Sequence, residues 1–383
     1  SDIARITGLS AQTVSVIMRA LEHDGLLLRG EPVRGRIGQP SVPMHLNPEG
    51  AFFLGLKIGR RSADLTLIDF LGRVRATRRQ VYRYPSPSAV VAFVEKAMPE
   101  VCAGLTTAEA DRIGGLGVAM PFQLWSWVHQ IGAPQAEMDA WRNRDVQAEL
   151  AAITNLPVYV QNDATSACGA ELVFGTGDRP RDFLYFYFGY FIGGGLVLNG
   201  QLFLGRSGNA AGVGPLPVQG KDGQVDRLLN AASMSTLARA MDAAGQSSDH
   251  LWEQHDQWIV SDEILSDWMD QAANGLAWAA LSASSLLEIE AVMIDGWMPL
   301  HIRAEITRRT HADSKGGHLA RRLSDGRLIL RESAQCAASD QHAFEDIERH
   351  AFFNTNNLWI RLDKLKATLE ANGGLLLLPM IRN

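Results

Sequence analysis

Cysteine is scarce in this 383-residue chain. Cys102, Cys168 and Cys336 lie far apart, with no Cys-x-x-Cys or Cys-x-x-His spacing. They cannot build a disulfide framework, and they offer no ligand set for a structural zinc. Long apolar runs are missing as well: stretches such as Leu375–Met380 fall far short of the roughly 20 residues that cross a bilayer. No basic-then-apolar leader opens the chain, which starts at Ser1-Asp2 without a Met and implies further chain upstream. A reducing, cytoplasmic setting is expected. An excess of positive charge is lacking too, because 36 Lys and Arg face 42 Asp and Glu for a formal charge of −6. That excludes a surface coated throughout in nucleic acid but leaves room for a small basic module. What is present, 46% hydrophobic and 20% charged residues, is the composition of a globular chain. Its length suits two or three domains of roughly 100–200 residues each.

The first fifty residues read as a small module. Ser1–Thr7 suggests a short helix with Ile3 and Ile6 on one face, and Gly8 breaks it. Ser10 is placed to cap a second helix, Ala11–His23, in which Val14, Ile17, Met18 and Leu21 recur at the spacing of one buried face. Asp24-Gly25 stops that helix, and Leu26–Arg29 has strand character. Helix, turn, capped helix, strand and Gly/Arg-rich loop is the order of a winged helix-turn-helix, here domain 1–47, without the additional helix that usually comes first. Ser10, Gln12, Thr13, Ser15 and Arg19 would face a major groove from the second helix. The loop Gly30–Pro40 (GEPVRGRIGQP) would bring Arg34, Arg36 and Gln39 to phosphates or a minor groove. Five arginines against four acids within Ser1–Pro48 leave this segment near +1, so the acidity belongs to the rest of the chain.

After the turn cluster Asn47-Pro48-Glu49-Gly50, strands are expected at Ala51–Ile58, Asp64–Asp69, Val74–Val81, Ile113–Met120 and Val158–Gln161. Helices are expected at Ala89–Leu105 and Val146–Ile153. A second set follows: strand Phe183–Phe188, a glycine-rich turn Gly189–Gly195, strand Leu196–Asn199, helices Leu228–Ala244 and Glu263–Leu287, and a strand Ala291–Asp295. Such alternation predicts two α/β lobes, 51–180 and 181–383, with helices of the second serving dimerisation. A cleft between lobes is the usual place for a small ligand.

Several stretches carry a resemblance. Asn162-Asp163-Ala164, Phe188–Asn199 (FGYFIGGGLVLN), Gly200-Gln201-Leu202 and Gly205–Gly214 (GRSGNAAGVG) resemble the ROK family of sugar kinases and sugar-responsive repressors. Leu54–Leu71 is similar to that family's first phosphate-loop hairpin, and Gly117–Leu124 (GVAMPFQL) to its glycine-proline sugar loop. The likeness spans Ser1 to Leu300, and the N-terminal module is similar to that of the repressor branch. It implies an actin/hexokinase-like body of two lobes, a double-stranded DNA operator as partner, a small-molecule effector such as a sugar, and a homodimer or homotetramer.

The departures from that pattern separate regulator from enzyme. Where kinases of this fold carry a metal-binding Asp, this chain has Lys57, and an ammonium has no lone pair for Mg²⁺. Arg60 and Arg61 stand in for small residues of the first phosphate loop, and Tyr190 and Phe191 for those of the second. Gly193, Gly194 and Gly195 remain, and close strand packing alone would also account for them. Asp163 matches the kinase base; beside Asn162 it would hydrogen-bond ligand hydroxyls, or the pair would cap the helix that follows. The sugar-gripping Glu and His give way to Val213-Gly214-Pro215, and the cysteine-rich zinc motif to Gly220–Val225 (GKDGQV). No metal and no cofactor are expected. An inert sensing body is therefore preferred, with an ATP-dependent sugar kinase bearing a DNA-binding head as the alternative.

Other residues carry less. His250 and His255 are a spaced pair on a polar stretch and read as solvent-facing rather than metal-binding, and His301, His311 and His318 have no regular metal spacing. Arg73, Arg75, Arg78 and Arg79 read as a solvated face, with DNA contact or a partner surface as alternatives, and Trp125 and Trp127 as core, dimer or sugar-stacking residues. Leu300–His311 reads as a helix and Gly326–Ser333 as a strand, while Gln341–Asn357 has no assignment.

Overall fold

The structure is a computed structural model that describes residues 2–32, 42–122, 124–128, 132–175, 180–253, 256–310, 318–321 and 328–331. The chain divides into two compact units, Ser1–Gly214 with Ala283–Gly296, and Pro215–Ser282 with Trp297–Asn383.

The first unit begins with α1 (Asp2–Thr7) and α2 (Ala11–His23). Gly8, at φ +70°, makes the turn between them. The Ser10 side chain accepts the Thr13 N–H at 3.0 Å, a cap whose loss costs about 1 kcal/mol. β1 (Leu27–Arg29) pairs antiparallel with β2 (Met44–Leu46), a strand too short to show alternation in sequence. Val14 and Leu27 are buried, but Ile3, Ile6 and Ile17 are exposed, against the expectation of one fully buried face. Two short helices and a two-stranded ribbon enclose too little volume to surround them.

A five-stranded sheet follows, built from β3 (Phe52–Ile58), β4 (Ser62–Asp69), β5 (Val74–Val81), β6 (Ile113–Met120) and β7 (Val158–Asn162) in the order β5-β4-β3-β6-β7. β3, β4 and β5 form an antiparallel meander, and β6 and β7 add parallel to β3. Alternation puts Phe52, Leu54, Leu56 and Ile58 on one face, where they meet Val90, Phe93, Val94 and Val101 of α3 (Pro87–Cys102). Each such side chain contributes about 1.5–3 kcal/mol by leaving water. β5 sits at the sheet edge, where Arg75 faces Asp69, Arg78 faces Glu100 and Arg79 faces Asp64. Those pairings fit a charged edge strand that resists further pairing. α4 (Thr107–Ala110) leads into β6, and α5 (Gln135–Asn143) and α6 (Val146–Thr154) lie between β6 and β7. Trp125 packs against this core.

α7 (Asp163–Phe174) follows β7 directly. Next come β8 (Phe183–Phe188), β9 (Ile192–Leu198) and β10 (Gln201–Leu202). Gly193–Gly195, expected in a turn, lie in β9, which faces α7. A Cβ on Gly193 would come within 2.6 Å of the Ala164 Cβ, and one on Gly195 within 2.3 Å of the Cys168 Cβ. The glycines let helix and strand touch.

The second unit holds the hairpin β11 (Pro217–Gln219) and β12 (Val225–Arg227), then α8 (Leu228–Ala232), α9 (Met234–Ala243), α10 (His250–Glu253) and most of α11 (Asp262–Ser284). The single helix expected over 228–244 is broken at Ser233, whose backbone is extended and whose carbonyl accepts the Trp268 indole N–H at 3.1 Å. The chain returns to the first unit as β13 (Ala291–Gly296), which pairs parallel with β8 from Ala291↔Phe183 to Gly296↔Phe188. Tyr185 of β8, fully buried, donates its hydroxyl to Asp295 at 2.7 Å. α12 (Leu300–Thr310) and the pair β14 (His318–Arg321) and β15 (Leu328–Arg331) complete the described residues. Among these, no helix is long and apolar enough to cross a membrane.

Candidate functional site

The parallel strands β3, β6 and β7 end together at one edge of the five-stranded sheet, the edge at which open α/β sheets receive ligands. Register brings chemistry into one row there: Lys57 lies opposite Asp64 on β4 and Ala119 on β6, and Ala119 lies opposite Gln161 on β7. The loop after β10 arches over this row. A Cβ on Gly208 would sit 3.6 Å from the Gln161 carboxamide oxygen and 3.7 Å from the Phe122 ring, and the backbone there has φ +74°.

Asn162 and Asp163 stand at the junction of β7 and α7. Asn162 Oδ1 accepts the N–H groups of Ala164 at 3.1 Å and Thr165 at 3.2 Å, so that oxygen serves the helix cap. Asp163 Oδ1 accepts from Ala164 N at 2.9 Å. Burial raises the Asp163 carboxyl above its ordinary range, while the Ala164 N–H and the positive charge of Lys57 act to lower it. The Lys57 cation therefore neutralises part of an enclosed carboxylate, in the place where the kinase pattern needs a metal-binding acid. The residues present do not fit Mg²⁺.

The two loops that would hold phosphates are closed on each other. Gly59 N donates to Ser62 O at 2.8 Å, and the Tyr82 hydroxyl reaches the carbonyls of both Gly59 and Ser62 at 2.7 Å. Burial of that hydroxyl pushes its pKa up and keeps it a donor. From the pinned turn the Arg60 guanidinium reaches across to lie 3.9 Å from the centroid of the Tyr190 ring. Tyr190 in turn meets Phe191 edge-on at 4.8 Å. Cation–π and aromatic contacts of this kind contribute about 0.5–2 kcal/mol each. Val213, at the position of the sugar-gripping Glu, is buried and lies 2.9 Å from where a Gly194 Cβ would stand.

The zinc position is equally changed. Gly220 and Gly223 shape the tip of the β11–β12 hairpin, and Lys221 pairs with Asp267 of α11 at 2.5 Å. Among the described residues no group of three His, Cys, Asp or Glu could hold a metal ion. A polar cavity of about 500 Å³ lies beside this hairpin, lined by Lys221, Asp226, Asp267, Asp270 and Asn274. Its side chains largely bond one another and neighbouring groups: Asp226 accepts from Asn230 and Asp270 from Arg309, each at 2.7 Å.

At the head, Gln12 and Ser15 are exposed on α2. Thr13 Oγ1 lies 2.8 Å from Ser10 Oγ, so these two hydroxyls serve the cap together, and Arg19 Nε donates to Ser15 O at 3.2 Å. Arg34, Arg36 and Gln39 lie outside the described residues, as do His255, His311, 341–357 and the Trp127 side chain. Sequence reasoning missed Tyr82 and Gln161, whose roles depend on which strands become neighbours.

Comparisons with known proteins bear on the fold and the family. The ROK family pattern matches residues 53–299, and that of UTP--glucose-1-phosphate uridylyltransferase matches residues 280–383. The shared stretch contains β13, which is built into the sheet of the first unit. A transcriptional regulator of Mycobacterium tuberculosis is 28% identical over 62% of this chain and 55% of its own length. A xylose repressor of Caldicellulosiruptor bescii is 22% identical over 71% and 68%. Thus the chain spans about half the length of the mycobacterial relative. Among solved structures, a ROK family transcriptional regulator superposes with a TM-score of 0.54 at 20% identity, over 81% of this chain and 82% of that one. A ROK family glucokinase from Streptomyces griseus, in complex with glucose and AMPPNP, gives 0.51 at 20% identity, over 68% and 90%. With a matched family pattern that covers well over half its residues, the chain belongs to the ROK family.

Proposed function

We propose that this chain is a sequence-specific transcriptional regulator, a repressor, which binds a double-stranded DNA operator through an N-terminal winged helix-turn-helix and senses a small molecule in a body that transfers no phosphate. The observation that carries this reading is the closed pair of loops, with Arg60 stacked on Tyr190. In the head, Gln12, Ser15 and Arg19 of α2 would meet base edges and phosphates, with Ser10 and Thr13 holding the helix start. Arg34, Arg36 and Gln39 would form the wing. A two-fold symmetric operator needs two heads, so the working form is a homodimer or a homotetramer in the cytoplasm. The regulators among its relatives, one of them named a xylose repressor, support this reading.

Selection from a pool of random duplexes yields the operator directly. On that duplex, Arg34→Ala with Arg36→Ala should lower affinity for all sequences alike and flatten the salt dependence by about one unit per lost phosphate contact. Unchanged affinity and slope would remove the wing from the interface.

The effector is a polyhydroxylated molecule, a pentose or hexose, whose hydroxyl groups donate to Asp163. Ionised, that carboxyl only accepts; once protonated, one of its oxygens becomes a donor and faces the ligand's hydroxyl groups less favourably. Its folded pKa is raised, so protonation begins above the ordinary 3.8 as pH falls. Xylose or glucose binding, followed by calorimetry, should therefore weaken on acidification with a midpoint above pH 3.8. A binding constant flat down to that pH would exclude Asp163 as the acceptor.

A further inference from the structure

The head and the ligand edge lie at opposite ends of the same two strands. β3 starts just after the Asn47–Gly50 turn and ends at Lys57-Ile58. β6 starts at Ile113 and ends at Met120, which is paired with Asn162 and precedes Pro121-Phe122 of the sugar-loop motif. Eight residues at about 3.3 Å each make β6 roughly 26 Å long. β6 thus runs from the ligand edge to the head end without an intervening loop.

At the head end of β6 stands Arg112. Its guanidinium packs against Gly25, the φ +73° residue that follows α2, so closely that a Cβ there would lie 2.8 Å from both terminal nitrogens. The same group donates to the Gly50 carbonyl at 3.3 Å, and the Arg112 carbonyl accepts the Phe52 N–H at 3.1 Å. Around it the joint is tight: Asn47 Nδ2 donates to Gly25 O at 2.7 Å, and Asn47 N to Leu26 O at 2.9 Å. Gly50 has no room for a side chain, because a Cβ would meet Gly25 O at 3.0 Å and Leu26 Cα at 3.1 Å. One residue thus touches the end of α2, the linker and the first residue of the strand that ends at the site.

Resting on the regulator reading above, we propose that Arg112 is a positioning residue for DNA recognition: it is the strut that sets the angle of α2 against β6 and passes changes at the Asn162–Asp163 edge to the head. The planar fork is needed to lie flat against the Gly25 backbone while donating to Gly50, so lysine should not replace it. A linkage of this kind transmits only what differs between two states of the site.

Hydrogen exchange of the full chain tests this as a cycle. Arg112→Ala should speed exchange of the Leu26, Asn47 and Gly50 amides at least ten-fold while leaving the Ala164 and Thr165 amides unchanged, and Arg112→Lys should behave the same way. Asp163→Asn, which perturbs the far end, should change exchange of the head amides several-fold when Arg112 is present and should not when it is Ala. Head amides that respond equally in both backgrounds, or in neither, would overturn the strut. If wild-type protein selects no duplex, the regulator reading fails, and the exchange cycle still decides whether Arg112 couples the two ends.

Discussion

Gly195→Val should lower the melting temperature by about 10 °C or prevent folding, as read by circular dichroism, while Gly55→Ala should leave it unchanged. A Cβ at 195 would meet the Cys168 Cβ at 2.3 Å and its sulfur at 2.6 Å, and valine adds two further carbons. Cys168 is itself fully buried between α7 and the sheet, and burial pushes its thiol up to about 12. Overpacking in such a place costs about 3 kcal/mol, and a domain of this size loses roughly 2–4 °C per kcal/mol. At Gly55 nothing lies within 4 Å of a built Cβ, and φ is not positive, so alanine fits. If Gly195→Val melted like the wild type, the glycine run would not be there for helix–strand contact.

Lys57→Asp should destabilise the fold, as read by a lower melting temperature, and it should not create a kinase. The substitution restores the acid of the kinase pattern but takes the cation away from the enclosed Asp163 and puts a second carboxylate near it. Asp64, opposite Lys57 on β4, adds a third acid to the same row. Arg60 remains stacked on Tyr190, so the phosphate loops stay closed. Phosphorylation of glucose or xylose from ATP should be undetectable for wild type and variant alike. Turnover by the wild type would overturn the inert body, and a variant as stable as the wild type would show that Lys57 does not offset the Asp163 charge.

Much of the body was legible in its residues because burial leaves a period. β5, β6 and β8 match their expected limits, and strands such as β3 and β4 read from alternation of apolar residues. The glycines of β9 misled, because glycine signals a turn locally, whereas here its cause is the helix α7 lying against the strand. The break at Ser233 was hidden for a similar reason: apolar spacing continues across it, and the bond from Trp268 that holds it comes from 35 residues away. At the site, the loss of acids at 57 and 213 was visible in the sequence. The clasp of Arg60 on Tyr190 was not, since only the fold brings residues so far apart in sequence face to face.

If the chain is the sequence-specific regulator proposed above, it must pick out particular duplexes. Enrichment of random duplexes by the purified chain, followed by an affinity titration at physiological salt, tests this most directly. The expected result is one family of sequences bound with a Kd of about 10⁻⁸–10⁻¹¹ M, at least roughly a thousand-fold tighter than an unrelated duplex. Equal, roughly micromolar binding to every duplex, or none, would contradict it.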